Sequence, residues 1–146
     1  LSLTLRNGSR VVGLPANEGK VRGFSAVDLL LVDEASRVPD ALYRAVRPML
    51  GVSEGDLWLM STPCGKRGFF WEEWSDGCGE DWTRISVPAT ECPRYGAEFL
   101  RKERASGGER WFAQEYLCTF TDAEGALFRE ELVREAFVDD VRALRL

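Results

Sequence analysis

Apolar residues along this chain fall into short runs and stripes whose period switches between two and 3.6, as expected for mixed strands and helices. Leu3, Leu5, Val11, Val12 and Leu14 flank Asn7-Gly8, a tight-turn dipeptide, so residues 2–14 are predicted to form a β-hairpin. Residues 15–26 are polar and contain glycine, which predicts a surface loop. Val27 to Val32 is apolar apart from Asp28. A run of this length suits a strand buried on both faces, as in a parallel sheet.

Pro39-Asp40 opens a helix reaching to about Leu50, because the missing N–H of proline costs nothing in a first helical turn. Leu42, Val46, Met49 and Leu50 form one apolar stripe, and Pro48 should bend or end the regular helix. After a turn at residues 51–55, Leu57-Trp58-Leu59-Met60 reads as a second buried strand, completing a βαβ unit. Gly68 to Trp74 predicts a short aromatic helix, residues 75–81 a Gly/Asp loop, and Thr83 to Val87 a third strand. Helices over about residues 95–106 and 109–118 are separated by Gly107-Gly108. Leu132, Val133, Phe137 and Val141 mark a final helix over about residues 130–144.

A length of 146 residues corresponds to one domain or a piece of a larger one, and five Trp with eight Phe supply enough apolar area for a core. No apolar run approaches the roughly 20 residues needed to span a bilayer, which predicts no membrane association by a helix. The start, Leu1 to Arg6, lacks the apolar stretch of a signal peptide. It also lacks an initiator Met, and the expectation is a chain beginning inside a longer reading frame.

The net charge of −5 argues against a dedicated nucleic-acid-binding module, though not against a motor whose DNA contacts lie on another domain. Cys64, Cys78, Cys92 and Cys118 form no CxxC pair, and the chain has no His. A zinc site is therefore not expected, Ser-His and Cys-His catalysis are excluded, and the thiols read as reduced and cytosolic.

The candidate chemistry begins at Leu29-Leu30-Leu31-Val32-Asp33-Glu34, four apolar residues followed by two acids. This is the pattern of the Walker B strand of a P-loop-type ATPase. Ligands of open α/β sheets bind beyond the carboxyl ends of the parallel strands, so such a strand delivers both carboxylates to a site. Asp33 would hold Mg²⁺ through water, and Glu34 would orient and deprotonate an attacking water. The competing reading is an ordinary buried strand with acids at its exposed end. A second feature bears on the choice: Leu57–Met60 ends in Ser61-Thr62-Pro63, followed by Cys64-Gly65-Lys66. Hydroxyls at the tip of a neighbouring strand would lie beside a nucleotide γ-phosphate, although Ser-Thr-Pro can simply terminate a strand.

The stretch from Val21-Arg22-Gly23-Phe24-Ser25 through Leu31-Val32-Asp33-Glu34-Ala35 to Val38-Pro39 resembles the large terminase subunit of tailed bacteriophages. Leu59-Met60-Ser61-Thr62-Pro63 with Gly65-Lys66 and Phe69-Phe70 is similar to that family's coupling motif. Val87-Pro88-Ala89-Thr90 and Trp111 to Cys118 resemble the segment ending its ATPase domain, and Gly125-Ala126-Leu127-Phe128 its linker toward the nuclease. The resemblance covers roughly residues 10–128 and implies a partial P-loop NTPase core of the RecA-like type, a mostly parallel sheet flanked by helices with the Walker A strand absent. Residues 1–128 would be the C-terminal part of the ATPase domain, and 129–146 the start of a linker.

By the same resemblance, the whole protein would use ATP and Mg²⁺ to package double-stranded viral DNA in the host bacterial cytoplasm. Its partners would be the small terminase subunit and the portal of the procapsid, and the motor would be a homo-oligomer. Asp33 would take the Mg²⁺ role, Glu34 the catalytic-base role, and Ser61 and Thr62 the coupling role. Arg22 lies in a family-typical stretch without an assigned function.

Two departures stand out. The Gly-rich phosphate loop should precede residue 1, and Gly65-Lys66-Arg67 cannot replace it, having Arg where Ser or Thr belongs. Nuclease carboxylates should follow Phe128, but Glu130, Glu131, Glu135, Asp139 and Asp140 have the spacing of a solvated helix face. The 146-residue chain alone is therefore expected not to hydrolyse ATP. The alternatives are a fragment of another ATPase of this broad class, such as a helicase, or a non-catalytic prophage remnant. Trp111, Phe112 and Tyr116 read as core packing rather than a base-stacking platform, Lys66 and Arg67 as solvated loop residues, and Glu98 with Lys102 as an i,i+4 surface pair.

Overall fold

Asn7-Gly8 turns the chain as its chemistry requires, with Gly8 at φ +87° and the Asn7 side chain accepting the Ser9 N–H at 3.1 Å. The flanking strands β1 (Ser2–Thr4) and β2 (Arg10–Val12) pair antiparallel with Leu3 opposite Val11. The computed structural model describes residues 1–15, 21, 23–75 and 81–122, with the single residues 132, 135 and 136. Arg22, Cys78, residues 125–128 and nearly all of the expected 130–144 helix lie outside the described residues. The chain divides into two units, Leu1–Thr62 with Gly68–Ile85 and Pro63–Arg67 with Ser86–Leu146.

In the first unit, β3 (Leu29–Asp33) and β4 (Asp56–Met60) pair in parallel, with Leu31 opposite Trp58 and Asp33 opposite Met60. Between them run a 3-10 turn (Ala35–Arg37), helix α1 (Asp40–Val46) and a second 3-10 turn (Arg47–Leu50). Pro48 sits where the α-helix gives way to the tighter turn, as its lost donor dictates. Leu42, Val46 and Met49 form the core with Val21, and Leu14, Phe24, Val27 and Leu30 pack against it. Helix α2 (Gly68–Trp74) buries Phe69 and Phe70, and the Phe69 ring stacks on Tyr43 with centroids 3.9 Å apart.

Three expectations fail in this unit. Residues 15–26 are not a wholly surface loop, because Val21 is 1 % exposed and the most buried large side chain of the core. The strands are not buried on both faces: Leu30, Leu57 and Val32 are half-buried, whereas Leu31 and Trp58 are 52 % and 57 % exposed. Strand alternation places Leu29, Leu31, Trp58 and Met60 on one face, which no described element covers. Thr83 to Val87 joins no ladder; Arg84 instead donates to the carbonyls of Glu73 and Ser75 at 3.1 and 3.3 Å, satisfying the acceptors that the end of α2 leaves open.

The second unit is built on α3 (Ala97–Leu117), broken at Gly108, whose φ of +80° and ψ of 165° are non-helical. The two helices expected on either side of Gly107-Gly108 are thus present, joined more closely than the sequence suggests. Phe112 is buried, and Tyr116 stacks on it at 5.1 Å while meeting Tyr95, Phe99 and Trp111 edge-on. Core packing therefore describes Phe112 and Tyr116, with Trp111 at the 40 % exposed margin. Lys66 is held rather than solvated: its N–H donates to the Thr121 carbonyl at 3.1 Å and its Nζ lies 3.5 Å from Asp122. Arg67 is exposed.

Candidate functional site

The parallel register ends both strands level, since Asp33 and Met60 are partners. Asp33-Glu34 and Ser61-Thr62 therefore leave the same edge of the sheet side by side. Asp33 and Glu34 are exposed, and Ser61 and Thr62 are half-buried. All four residues singled out from the sequence belong to the same unit and emerge at the carboxyl ends of its parallel strands, where α/β folds place ligands.

The chain turns sharply after Asp33. Glu34 adopts φ 49° and ψ 40°, a left-handed conformation that costs a non-glycine residue about 1 kcal/mol or more. Three hydrogen bonds hold it there. The Glu34 N–H donates to Asp33 Oδ1 at 3.0 Å, the Arg37 N–H to the Glu34 carbonyl at 2.9 Å, and the Val38 N–H to the Ala35 carbonyl at 3.2 Å. Ala35 is fully buried and anchors the turn from below. The Glu34 carboxylate lies 3.6 Å from Arg37 Nε, a largely exposed i,i+3 pair that orients more than it stabilises.

A residue that sequence reasoning missed joins the two strand tips. Ser36 donates its N–H to Ser61 Oγ at 3.2 Å, and the two hydroxyl oxygens are 2.8 Å apart, both partly buried. Nothing in the local pattern marks Ser36, because its partner lies 25 residues away.

The donor set suits a hard divalent cation that keeps much of its water. Asp33 offers a carboxylate with one oxygen engaged by the Glu34 N–H, and hydroxyl oxygens stand on the adjacent strand. Among the described residues no three His, Cys, Asp or Glu cluster as a closed metal cage would require. Mg²⁺ sites built from one or two carboxylates, water and substrate phosphate have this character, so the residues fit the implied ion. Cys92 and Cys118 are free thiols.

Fold and strand tips together define the class: a partial α/β core whose two parallel strands end in polar residues at one edge. The comparison with solved structures gives the particular likeness. The chain is similar to the ATPase domain of the large terminase of Thermus phage P74-26, solved as an arginine-to-alanine mutant, with a TM-score of 0.59 and 22 % identity. The match covers 68 % of this chain and 46 % of that one, so the chain corresponds to about half of the solved domain. No protein-family model matches the chain, and no curated protein matches it. At this identity the likeness is one of fold.

Proposed function

We propose that this chain supplies the metal- and water-handling half of the ATP site of a phage DNA-packaging motor of the large-terminase type. The observation that carries the reading is the level ending of β3 and β4, which sets Asp33-Glu34 beside Ser61-Thr62 at one sheet edge. The terminase-like order of segments along the sequence and the likeness to a terminase ATPase domain support it.

In this reading Asp33 would hold Mg²⁺ through water with its exposed carboxylate. The bound ion would neutralise charge on the β- and γ-phosphate oxygens. Glu34, one residue further and turned by its left-handed backbone, accepts a proton from the attacking water and orients it. Ser61 and Thr62 hydrogen-bond the terminal phosphate or the water and pass its presence along the chain beyond β4. The partners are double-stranded viral DNA, the small terminase subunit, the portal of the procapsid and further copies of the motor, all in the cytoplasm of an infected bacterium. Among the described residues no helix is long and apolar enough to cross a membrane.

ATP turnover tests the reading, measured on the 146-residue chain and on the reading frame that contains it. The isolated chain should show none. A frame that includes a phosphate-binding loop should show Mg²⁺-dependent turnover that falls by about 10²-fold or more in Glu34→Gln. Turnover by the isolated chain, or turnover indifferent to Glu34→Gln, would refute the proposal.

A further inference from the structure

We propose that Ser36 is a positioning residue of this site: it fixes the turn that aims Glu34, and its hydroxyl pair with Ser61 leaves one hydroxyl donor for a terminal phosphoryl oxygen. The proposal rests on the reading above and deepens it.

The first part follows from the 3-10 turn Ala35–Arg37. The early N–H groups of such a turn lack partners within it. Glu34, at its N-cap, offers no side-chain bond to them. Ser61 supplies the missing acceptor from the other strand, taking the Ser36 N–H at 3.2 Å. Glu34 is thus bracketed by Asp33 Oδ1 on its own N–H and by the Ser36–Ser61 link two residues later. Its strained backbone conformation is held against the tip of β4 as well as by its own strand.

The second part is a count of protons. Two serine hydroxyls bring two protons, and the bond between their oxygens at 2.8 Å uses one. Ser61 Oγ already accepts the Ser36 N–H. If it also accepts the Ser36 hydroxyl, both of its lone pairs are filled and Ser61 faces the site as a donor. If the mutual bond runs the other way, the spare proton belongs to Ser36. In either arrangement one hydroxyl proton is left to donate, and a phosphate oxygen is the acceptor-only group that it fits. Arrival or departure of that oxygen then acts on the same bonds that hold the Glu34 turn.

The test uses the isotopically labelled 146-residue chain with Mn²⁺ as a paramagnetic stand-in for Mg²⁺. The Glu34 HN–Hα coupling and Cα shift report its left-handed backbone without any metal. Line broadening by Mn²⁺, compared between the Glu34 and Asp33 amides, reports how Glu34 is aimed. Ser36→Ala should move Glu34 out of the left-handed conformation and change that broadening ratio by about threefold or more, the worth of one ordinary hydrogen bond. Ser36→Thr, which keeps the hydroxyl, should restore both. Ser36→Ala removes only the hydroxyl bond, whereas Ser61→Ala removes that bond and the acceptor of the Ser36 N–H, and should speed exchange of the Ser36 amide by about tenfold. A purely structural role would lower the melting temperature of Ser36→Ala and leave the broadening ratio unchanged.

An unchanged Glu34 coupling and ratio in Ser36→Ala, with a native circular dichroism spectrum, would overturn the inference. Should Ser36→Ala fail to fold, the Glu34 coupling in Ser61→Ala decides in the same way. Absence of Mn²⁺ broadening at Asp33 in the unmodified chain would instead count against the ATP-site reading. In that event the Glu34 coupling alone still decides whether Ser36 positions the turn.

Discussion

The carboxylate of Asp40 accepts the backbone N–H of Phe69 at 2.9 Å, so the first residue of α1 caps the start of α2. Tyr43, one turn along α1, stacks on the Phe69 ring with an interplanar angle of 8°. One polar and one aromatic contact therefore define how the helix after β3 meets the helix after β4. Asp40→Ala should destabilise the chain by about 1–2 kcal/mol, the usual cost of losing a cap of this kind. Asp40→Asn, which keeps an oxygen, should cost less. Urea unfolding followed by Trp fluorescence measures both; equal stability of Asp40→Ala and the unmodified chain would contradict this role.

Gly55 precedes β4 where its backbone passes close to the segment entering β3. A Cβ there would lie 2.1 Å from the Val27 carbonyl oxygen and 2.8 Å from the Asp28 carbonyl group. Because the obstacle is backbone, relief requires the entry to the βαβ unit to shift. Gly55→Ala is expected to cost about 2–3 kcal/mol, within the range for overpacking. Gly96→Ala, where a Cβ meets nothing within 4 Å, should stay within about 0.5 kcal/mol. Thermal unfolding of the pair checks the contrast, and similar values for the two would argue against it.

Glu73 gathers three donors. Its Oε1 accepts the Tyr43 hydroxyl at 2.8 Å and Arg47 at 3.2 Å, and its Oε2 accepts the Trp82 indole N–H at 2.8 Å. Tyr43 is buried, so deleting the carboxylate takes an acceptor from a hydroxyl inside the unit. Glu73→Ala should cost about 2–3 kcal/mol and free Trp82 to a more solvent-like emission. Glu73→Gln should retain part of the network. An unchanged melting temperature in Glu73→Ala would show that the three bonds contribute nothing net.

The exposed ion pairs of α3 give a prediction for pH. Arg101, bonded to Glu98 at 2.8 and 2.9 Å, holds the Glu98 carboxyl below the ordinary glutamate value, with Lys102 adding to the effect. A carboxylate depressed in the folded state contributes stability above its unfolded pKa and loses it as pH falls through the lower, folded value. NMR titration of the Glu98 side chain should therefore give a midpoint below that of a free glutamate, rising toward it in molar salt because the pair is exposed. Glu109, paired with Arg104, should behave alike. Unshifted midpoints at low salt would refute the pairing. Burial within the aromatic cluster, reinforced by Glu103, raises the Tyr116 phenol, so Glu103→Gln should lower its ultraviolet titration midpoint partway.

The elements legible in the sequence are those with a local physical cause. Asn7-Gly8 needs only its own backbone to turn, and Pro39-Asp40 only its own missing N–H to start a helix. The apolar run ending in Asp33-Glu34 and the run ending in Ser61-Thr62 mark two strands and their polar tips without reference to anything distant. Helix spacing points to the i,i+4 partner Lys102 for Glu98, yet the i,i+3 bond to Arg101 is the shorter contact.

What the tertiary structure decided concerns partners far apart in the chain. Val21 looks like one apolar residue in a polar stretch, and only the arrival of Leu42, Val46 and Met49 makes it core. Thr83 to Val87 has the composition of a strand, but a strand exists only where another edge offers its donors and acceptors; here Arg84 is drawn to the end of α2 instead. The Ser36–Ser61 link depends on the parallel register that brings residues 25 positions apart to one edge. Local periodicity and turn chemistry specify which segments become strands and helices and which polar residues end them. The distances between those residues follow from burial and pairing of the assembled unit, which no short stretch of sequence encodes.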